Sequence, residues 1–178
     1  MSWWHRWTRF TVWLRRRGPR LLLELLAVVV LLVVLEAFLT RDAVRGEAPA
    51  IEGYTLSGEH FSLEARRGET VLVYFWASWC PICELQHGTI EALSQGQQVI
   101  TVAMQSGSAD AVRAYLHEQG ADYPVINDPE GVLSAQYGVR AVPASFVVDR
   151  QGQVRFVTRG YTSGLGLRVR LWWAGLTA

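Results

Sequence analysis

The nineteen residues from Leu21 to Leu39 (LLLELLAVVVLLVVLEAFL) constrain this chain more than any other segment. As a helix the run spans about 28 Å at 1.5 Å per residue, close to the roughly 30 Å hydrocarbon thickness of a bilayer. Glu24 and Glu36 lie near its ends, where a carboxylate reaches the headgroups at least cost, and Leu25 to Leu35 is unbroken. The run predicts one transmembrane helix over 21–39. Six arginines precede it (Arg6, Arg9, Arg15, Arg16, Arg17 and Arg20), while only Arg41 and Arg45 closely follow. The excess of positive charge predicts that residues 1–20 stay in the cytoplasm and that everything after the span is exported. Trp3, Trp7, Phe10 and Leu14 recur at helical spacing, which suits a short helix in the inner interface. The nearest small-x-small site, Ala48-Pro49-Ala50, lies well past the run, so an uncleaved signal-anchor is expected.

Charge confirms the division. The formal net charge is only +1, but residues 1–40 carry a net +4 and residues 41–178 a net −3. All 17 basic residues are arginine. Without lysine there is no Schiff-base chemistry and no Walker-type phosphate loop. A nucleic-acid binder would not leave its main body acidic, so no nucleic-acid partner is expected. Half the residues are hydrophobic, which excludes disorder, and two cysteines are too few for a disulfide-stapled scaffold.

Residues 40–50 are polar and Pro-containing, and are predicted to be a linker. The exported domain is expected over 51–178. Its first part, 51–66, has the pattern of a hairpin with a turn at Ser57-Gly58-Glu59. Val71 to Ala77 (VLVYFWA) is a continuous apolar run rich in β-branched and aromatic residues, the mark of a buried central strand. A helix is predicted from Pro81 to about Leu93, with Ile82, Leu85, Ile90 and Leu93 inward. A strand follows at Val99–Met104, a helix at Ser108–Glu118 capped by Ser108, a short strand at Tyr123–Ile126 and a short helix at Gly131–Tyr137. Ser145–Val148 and Gln153–Val157 form a predicted hairpin, and a last amphipathic helix covers about 164–176. In that helix the apolar residues, Trp172 and Trp173 among them, are expected to pack on the sheet; docking of Arg168, Arg170, Trp172 and Trp173 on the membrane or on a partner is the alternative. Together these elements predict an α/β domain, a mixed sheet flanked by helices.

Both cysteines sit in Trp79-Cys80-Pro81-Ile82-Cys83, where the central strand meets the first helix. At that spacing the two sulfurs can form a disulfide without backbone movement. Cys80 at the helix N-cap faces unpaired N–H groups that favour its thiolate, and Pro81 suits the first helical position. Cys83, one turn deeper, is the expected resolving thiol. A structural zinc site would need two further ligands, and the sequence offers only His87 nearby.

Phe75-Trp76-Ala77-Ser78-Trp79-Cys80-Pro81-Ile82-Cys83 resembles the active-site signature of the thioredoxin superfamily. Arg140-Ala141-Val142-Pro143-Ala144-Ser145-Phe146 resembles its later motif, in which a cis proline lies against the two sulfurs. The exported, anchored TlpA/ResA-like group is similar in both motifs, and the ScsD-like type also in its single anchor and CPxC. The resemblance covers about 48–178 and implies a thioredoxin-like fold. It implies Cys80 as attacking thiol, Val142 presenting backbone groups to a bound cysteine-containing segment, Pro143 shaping that groove, and Trp79, Ile82 and Trp76 beside it. A plain core role for Trp76 is the alternative.

Two positions depart from the family pattern. The buried Asp that thioredoxins often place on the central strand is Tyr74 here, and the Glu that TlpA-like reductants often carry after the second Cys is Gln86. Glu84 and His87 are the nearest titratable groups that could move a proton, and His87 has the better intrinsic pKa. The reading that follows is a membrane-anchored thiol:disulfide oxidoreductase of a bacterial inner membrane, with its catalytic domain in the periplasm. It would reduce disulfides of exported proteins, use the Cys80–Cys83 pair with no other cofactor or metal, act as a monomer, and be reset by a transmembrane donor of DsbD or ScsB type. A disulfide-donating oxidant and a CxxC metal-handling protein are the alternatives.

Overall fold

The computed structural model describes residues 23–31 and 44–177. Residues 23–31 are helical. Among the described residues no helix is long and apolar enough to cross a membrane. The expected cytoplasmic tail and most of the predicted 21–39 span lie outside the described residues.

From residue 44 onward the chain forms eight strands, five α-helices and a short 3-10 helix at Glu64–Arg66. The strands are β1 (Gly46–Glu47), β2 (Glu52–Tyr54), β3 (His60–Ser62), β4 (Val71–Trp76), β5 (Gln98–Met104), β6 (Val125–Asp128), β7 (Ala144–Val148) and β8 (Gln153–Arg159). The helices are α1 (Pro81–Glu84), α2 (His87–Ser94), α3 (Ala109–Gln119), α4 (Val132–Gln136) and α5 (Gly164–Leu176). Six strands form one mixed sheet in the order β1-β8-β7-β4-β5-β6, and β2 and β3 form a separate hairpin. β4, β5 and β6 run parallel, while β7 is antiparallel to β4 and β8 to β7.

The central strand shows why one short segment can organise two layers. All six residues of β4 are buried, and their side chains alternate between faces. Leu72, Tyr74 and Trp76 enter one core with Ile90 and Leu93 of α2, Val112 and Leu116 of α3, and Leu167, Leu171 and Ala174 of α5. Val71, Val73 and Phe75 enter the other with Phe61 of the hairpin, Tyr137 and Phe146. This is the mixed α/β sheet flanked by helices expected from the pattern, and it has the thioredoxin-like architecture that the motif resemblance implies.

Three expectations are corrected. The segment read as a linker carries β1, an edge strand paired with β8, and Ala48 N–H donates to Gly152 O at 2.9 Å. The helix predicted from Pro81 to Leu93 is two helices separated at Leu85–Gln86, and its inward face is Cys83, Gln86, His87, Ile90 and Leu93. Cys80 sets that phase: as N-cap it turns Cys83 inward, which leaves Ile82 and Leu85 in solvent. Finally, Trp172 and Trp173 are exposed, because Leu167, Leu171 and Ala174 already fill the inward face of α5.

Candidate active site

The site forms where β4 ends. Phe75 pairs with Ala144, which brings the Val142-Pro143 segment before β7 alongside the chain leaving β4. Trp76 pairs with Ala103, which brings the turn after β5 to the other side. Cys80 therefore emerges between two fixed segments.

Cys80 has extended backbone and caps α1; its Sγ accepts from Cys83 N–H at 3.2 Å, and Pro81 takes the first helical position. Cys80 and Cys83 form a disulfide with Cα atoms 5.3 Å apart. Cys83 is fully buried, while the flanking Trp79, Pro81 and Ile82 are exposed. The Val142–Pro143 peptide is cis, and Val142 O lies 3.6 Å from Cys80 Sγ, placed to accept from that thiol once reduced. Pro143 is buried, and its carbonyl accepts from Gly160 N–H at 2.8 Å. The disulfide thus lies beside a backbone acceptor and three exposed side chains, an arrangement suited to thiol–disulfide exchange with an extended polypeptide.

The turn after β5 is a part of the site that sequence reasoning missed. Ser106 Oγ accepts from Ser78 N–H at 3.0 Å and donates to Met104 O, and Gln105 O accepts from Trp79 Nε1 at 3.1 Å. Gln105 has φ +47°, a left-handed conformation rare for a residue with a side chain. These bonds hold the loop that presents Cys80. The available signal was positional: Gln105-Ser106-Gly107 ends a parallel strand next to β4.

Beneath the dithiol the chemistry differs from the expectations. Trp76 is fully buried and donates from Nε1 to Thr101 Oγ1 at 3.1 Å, so it belongs to the core and not to the groove surface. His87 is also buried; its ring meets Trp76 edge to face at 5.2 Å between centroids. Its Nε2 is 3.1 Å from Tyr115 Oη and its Nδ1 is 2.5 Å from Tyr123 Oη. Burial pushes its pKa below the usual histidine value, with Glu84 pulling weakly the other way. Glu84 itself is exposed. Tyr74 is fully buried, and burial holds its hydroxyl well above the usual phenol pKa. Gln86 is fully buried, with Oε1 accepting from Thr162 N–H at 3.3 Å. Neutral groups therefore occupy the positions of both family carboxylates. Among the described residues no group of three or more His, Cys, Asp or Glu side chains is placed to hold a metal ion.

Comparison with known proteins agrees with this geometry. Residues 43–165 match the Redoxin family. A thioredoxin-like protein of Haemophilus influenzae is 34% identical over 139 residues, covering 77% of this chain and 83% of that one. The thiol-disulfide oxidoreductase ResA of Bacillus anthracis is 30% identical over 114 residues, covering 61% and 65% respectively. Among solved structures, a putative thiol:disulfide interchange protein DsbE from Chlorobium tepidum superposes with a TM-score of 0.66 at 26% identity, covering 74% of this chain and 98% of that one.

Proposed function

Because the chain belongs to the Redoxin family, within the TlpA/ResA-like branch of the thioredoxin superfamily, we propose that it is a membrane-anchored, periplasmic thiol:disulfide oxidoreductase that reduces disulfides of exported proteins. The observation that carries this reading is the Cys80–Cys83 disulfide, N-capping α1 against the cis Val142–Pro143 peptide.

The reaction balances on these atoms. Cys80 thiolate attacks one sulfur of a substrate disulfide, forming a mixed disulfide and releasing the other substrate sulfur as a thiolate. Cys83, once deprotonated, attacks Cys80 Sγ, which closes the Cys80–Cys83 bond and releases the second substrate thiolate. Two electrons pass from the dithiol to the substrate. The dithiol is the whole redox group, so no organic cofactor is required, and a dithiol donor spanning the membrane, of DsbD or ScsB type, restores it. Val142 would pair with the backbone of the substrate segment, and Trp79 and Ile82 would flank it.

The electrostatics support the reducing direction over an oxidant. A strong oxidant stabilises its reduced form through the attacking thiolate. Here the titratable side chains nearest in sequence are Glu84, an acid in the first turn of α1, and His87, whose burial favours the neutral form. Neither supplies a cation to Cys80. The hydrophobic run at 21–39 and its arginine flank support the anchor and the exported location.

Replacing Cys83 with Ser tests the activity, because it removes the resolving step and leaves Cys80 covalently attached to its substrates. Trapped exported proteins that depend on Cys80 are the expected result. No trapped species would leave an inert fold or a metal-binding CxxC. The reduction potential decides direction: about −270 mV is expected, and about −120 mV would reassign the protein as an oxidant.

A further inference from the structure

The closing helix α5 is apolar on two opposite faces. Leu167, Leu171 and Ala174 are buried against the sheet. Leu165, Val169, Trp172, Trp173 and Leu176 are exposed at 74%, 51%, 62%, 53% and 63%. At 100° per residue these five fall within an arc of about 100°, on the side away from the buried three. Arg168 borders that arc on one edge and Arg170 on the other, and the helix contains no acid. Beside its C-terminal half is a cavity of about 700 Å³ where Arg150 and Arg168 approach Trp172 and Leu176. The one acid lining that cavity is Glu69, which already faces Arg66 at 3.6 Å. A continuous apolar stripe of this size on a soluble surface marks an interaction site.

We propose that the outer face of α5 rests on the anionic lipid surface of the membrane that anchors the chain, an inference that rests on the anchored reading above. Tryptophan is the side chain favoured at the headgroup level, and the bordering arginines can lay their stems along the apolar stripe with their guanidinium groups among the phosphates. The charge is of one sign, matching anionic headgroups. A symmetric pairing of two copies through this face would bring four arginines together, with no acid in either helix to receive them. Residues 40–43, between the apolar run and the first described residue of the domain, extend at most about 14 Å, which keeps a bilayer at high effective concentration. Gly175 lies next to Thr70, at the end of the sheet opposite Cys80. Gly164, at the other end of α5, lies next to Thr89 of α2, so the outer face runs along the flank of the sheet from the Cys80 end to the opposite one.

The test uses the full-length chain with a protease site inserted between Asp42 and Ala43. The chain is inserted into phosphatidylcholine vesicles with or without phosphatidylglycerol, cleaved, and sedimented. The released domain is expected to pellet with the anionic vesicles, and omitting the anionic lipid should lower its affinity about fivefold per arginine engaged. The Trp172→Glu, Trp173→Glu double variant should move to the supernatant with its disulfide reductase activity unchanged. Release of the unaltered domain as complete as that of the variant overturns the docking. So does a released dimer that the variant abolishes, which assigns the face to a second copy. Alkaline carbonate extraction before cleavage separates the two readings. A chain stripped by carbonate refutes the anchor and the docking with it, whereas a resistant chain whose cleaved domain leaves refutes the docking alone.

Discussion

His87 lies one helical turn beyond Cys83, and its burial among Trp76, Tyr115 and Tyr123 changes what it can contribute. Both ring nitrogens are engaged by tyrosine hydroxyls, so one hydroxyl donates to the ring and the other accepts from it, which suits a neutral imidazole. Protonation would place a charge among aromatic side chains, away from water, inside the core. The folded-state pKa is therefore depressed, and the folded state binds fewer protons than the unfolded chain just below the ordinary value of about 6.5. Stability from this site is fully present above that value and is lost as pH falls through the folded pKa. Urea midpoints of the intact chain should fall as pH drops from neutral toward 5, and His87→Gln should flatten that dependence. His60 and His117 are exposed and unaltered in the comparison, so an unchanged slope in the variant would reject His87 as its source. Tyr74 Oη and Gln86 Nε2, below the same dithiol, are buried without a hydrogen-bond partner. The chain has replaced the family's carboxylates with groups that carry no charge to Cys83.

At the scale of elements, most of the sheet follows from local patterns, and the departures trace to partners distant in sequence. The apolar run of β4, the Ser108 cap of α3 and the Asp149–Gly152 turn between β7 and β8 each carry their own signal. The CPIC junction and the Val-Pro motif were equally legible, since both are contiguous. β1 was not, because Gly46–Glu47 has no strand character and is extended by pairing with β8 and by the 3.0 Å Arg67–Glu47 ion pair. The burial of His87 was hidden for the same reason: its partners stand 28 and 36 residues away. α4 shows how much a short helix can depend on one side chain. Its N-cap is Gly131 at φ +74°, which offers no side chain, and Asp128 at the end of β6 supplies the acceptor instead. Asp128 accepts from Leu133 N–H at 3.2 Å, from Ser134 N–H at 2.9 Å and from Ser134 Oγ at 2.7 Å. Asp128→Ala should cost about 2 kcal/mol, read as a shift in the denaturant midpoint, with Asp128→Asn costing less because it keeps an acceptor. An alanine variant as stable as the parent would show that α4 is held by packing alone.

For the molecule as a whole, folding and disulfide reduction form a thermodynamic cycle. The difference in stability between the oxidised and reduced chain equals the difference between the disulfide's redox free energy in the folded and unfolded states. Each 30 mV by which folding lowers the potential adds about 1.4 kcal/mol to the oxidised form. Closing the short Cys80–Cys83 loop restrains the unfolded chain by about 2 kcal/mol in the same direction. Reversing that sign requires a folded state that stabilises the thiolate strongly, as a cation beside Cys80 would. The groups next in sequence are acidic Glu84 and neutral His87, and Tyr74 and Gln86 beneath are uncharged. The oxidised chain should therefore be the more stable form, with a urea midpoint higher by about 1 M for a slope of about 2 kcal/mol/M. Parallel titrations in detergent with and without excess dithiothreitol measure this directly. A reduced chain that outlasts the oxidised one would mean that folding drives the disulfide open, the property of a protein that donates disulfides and not of one that removes them.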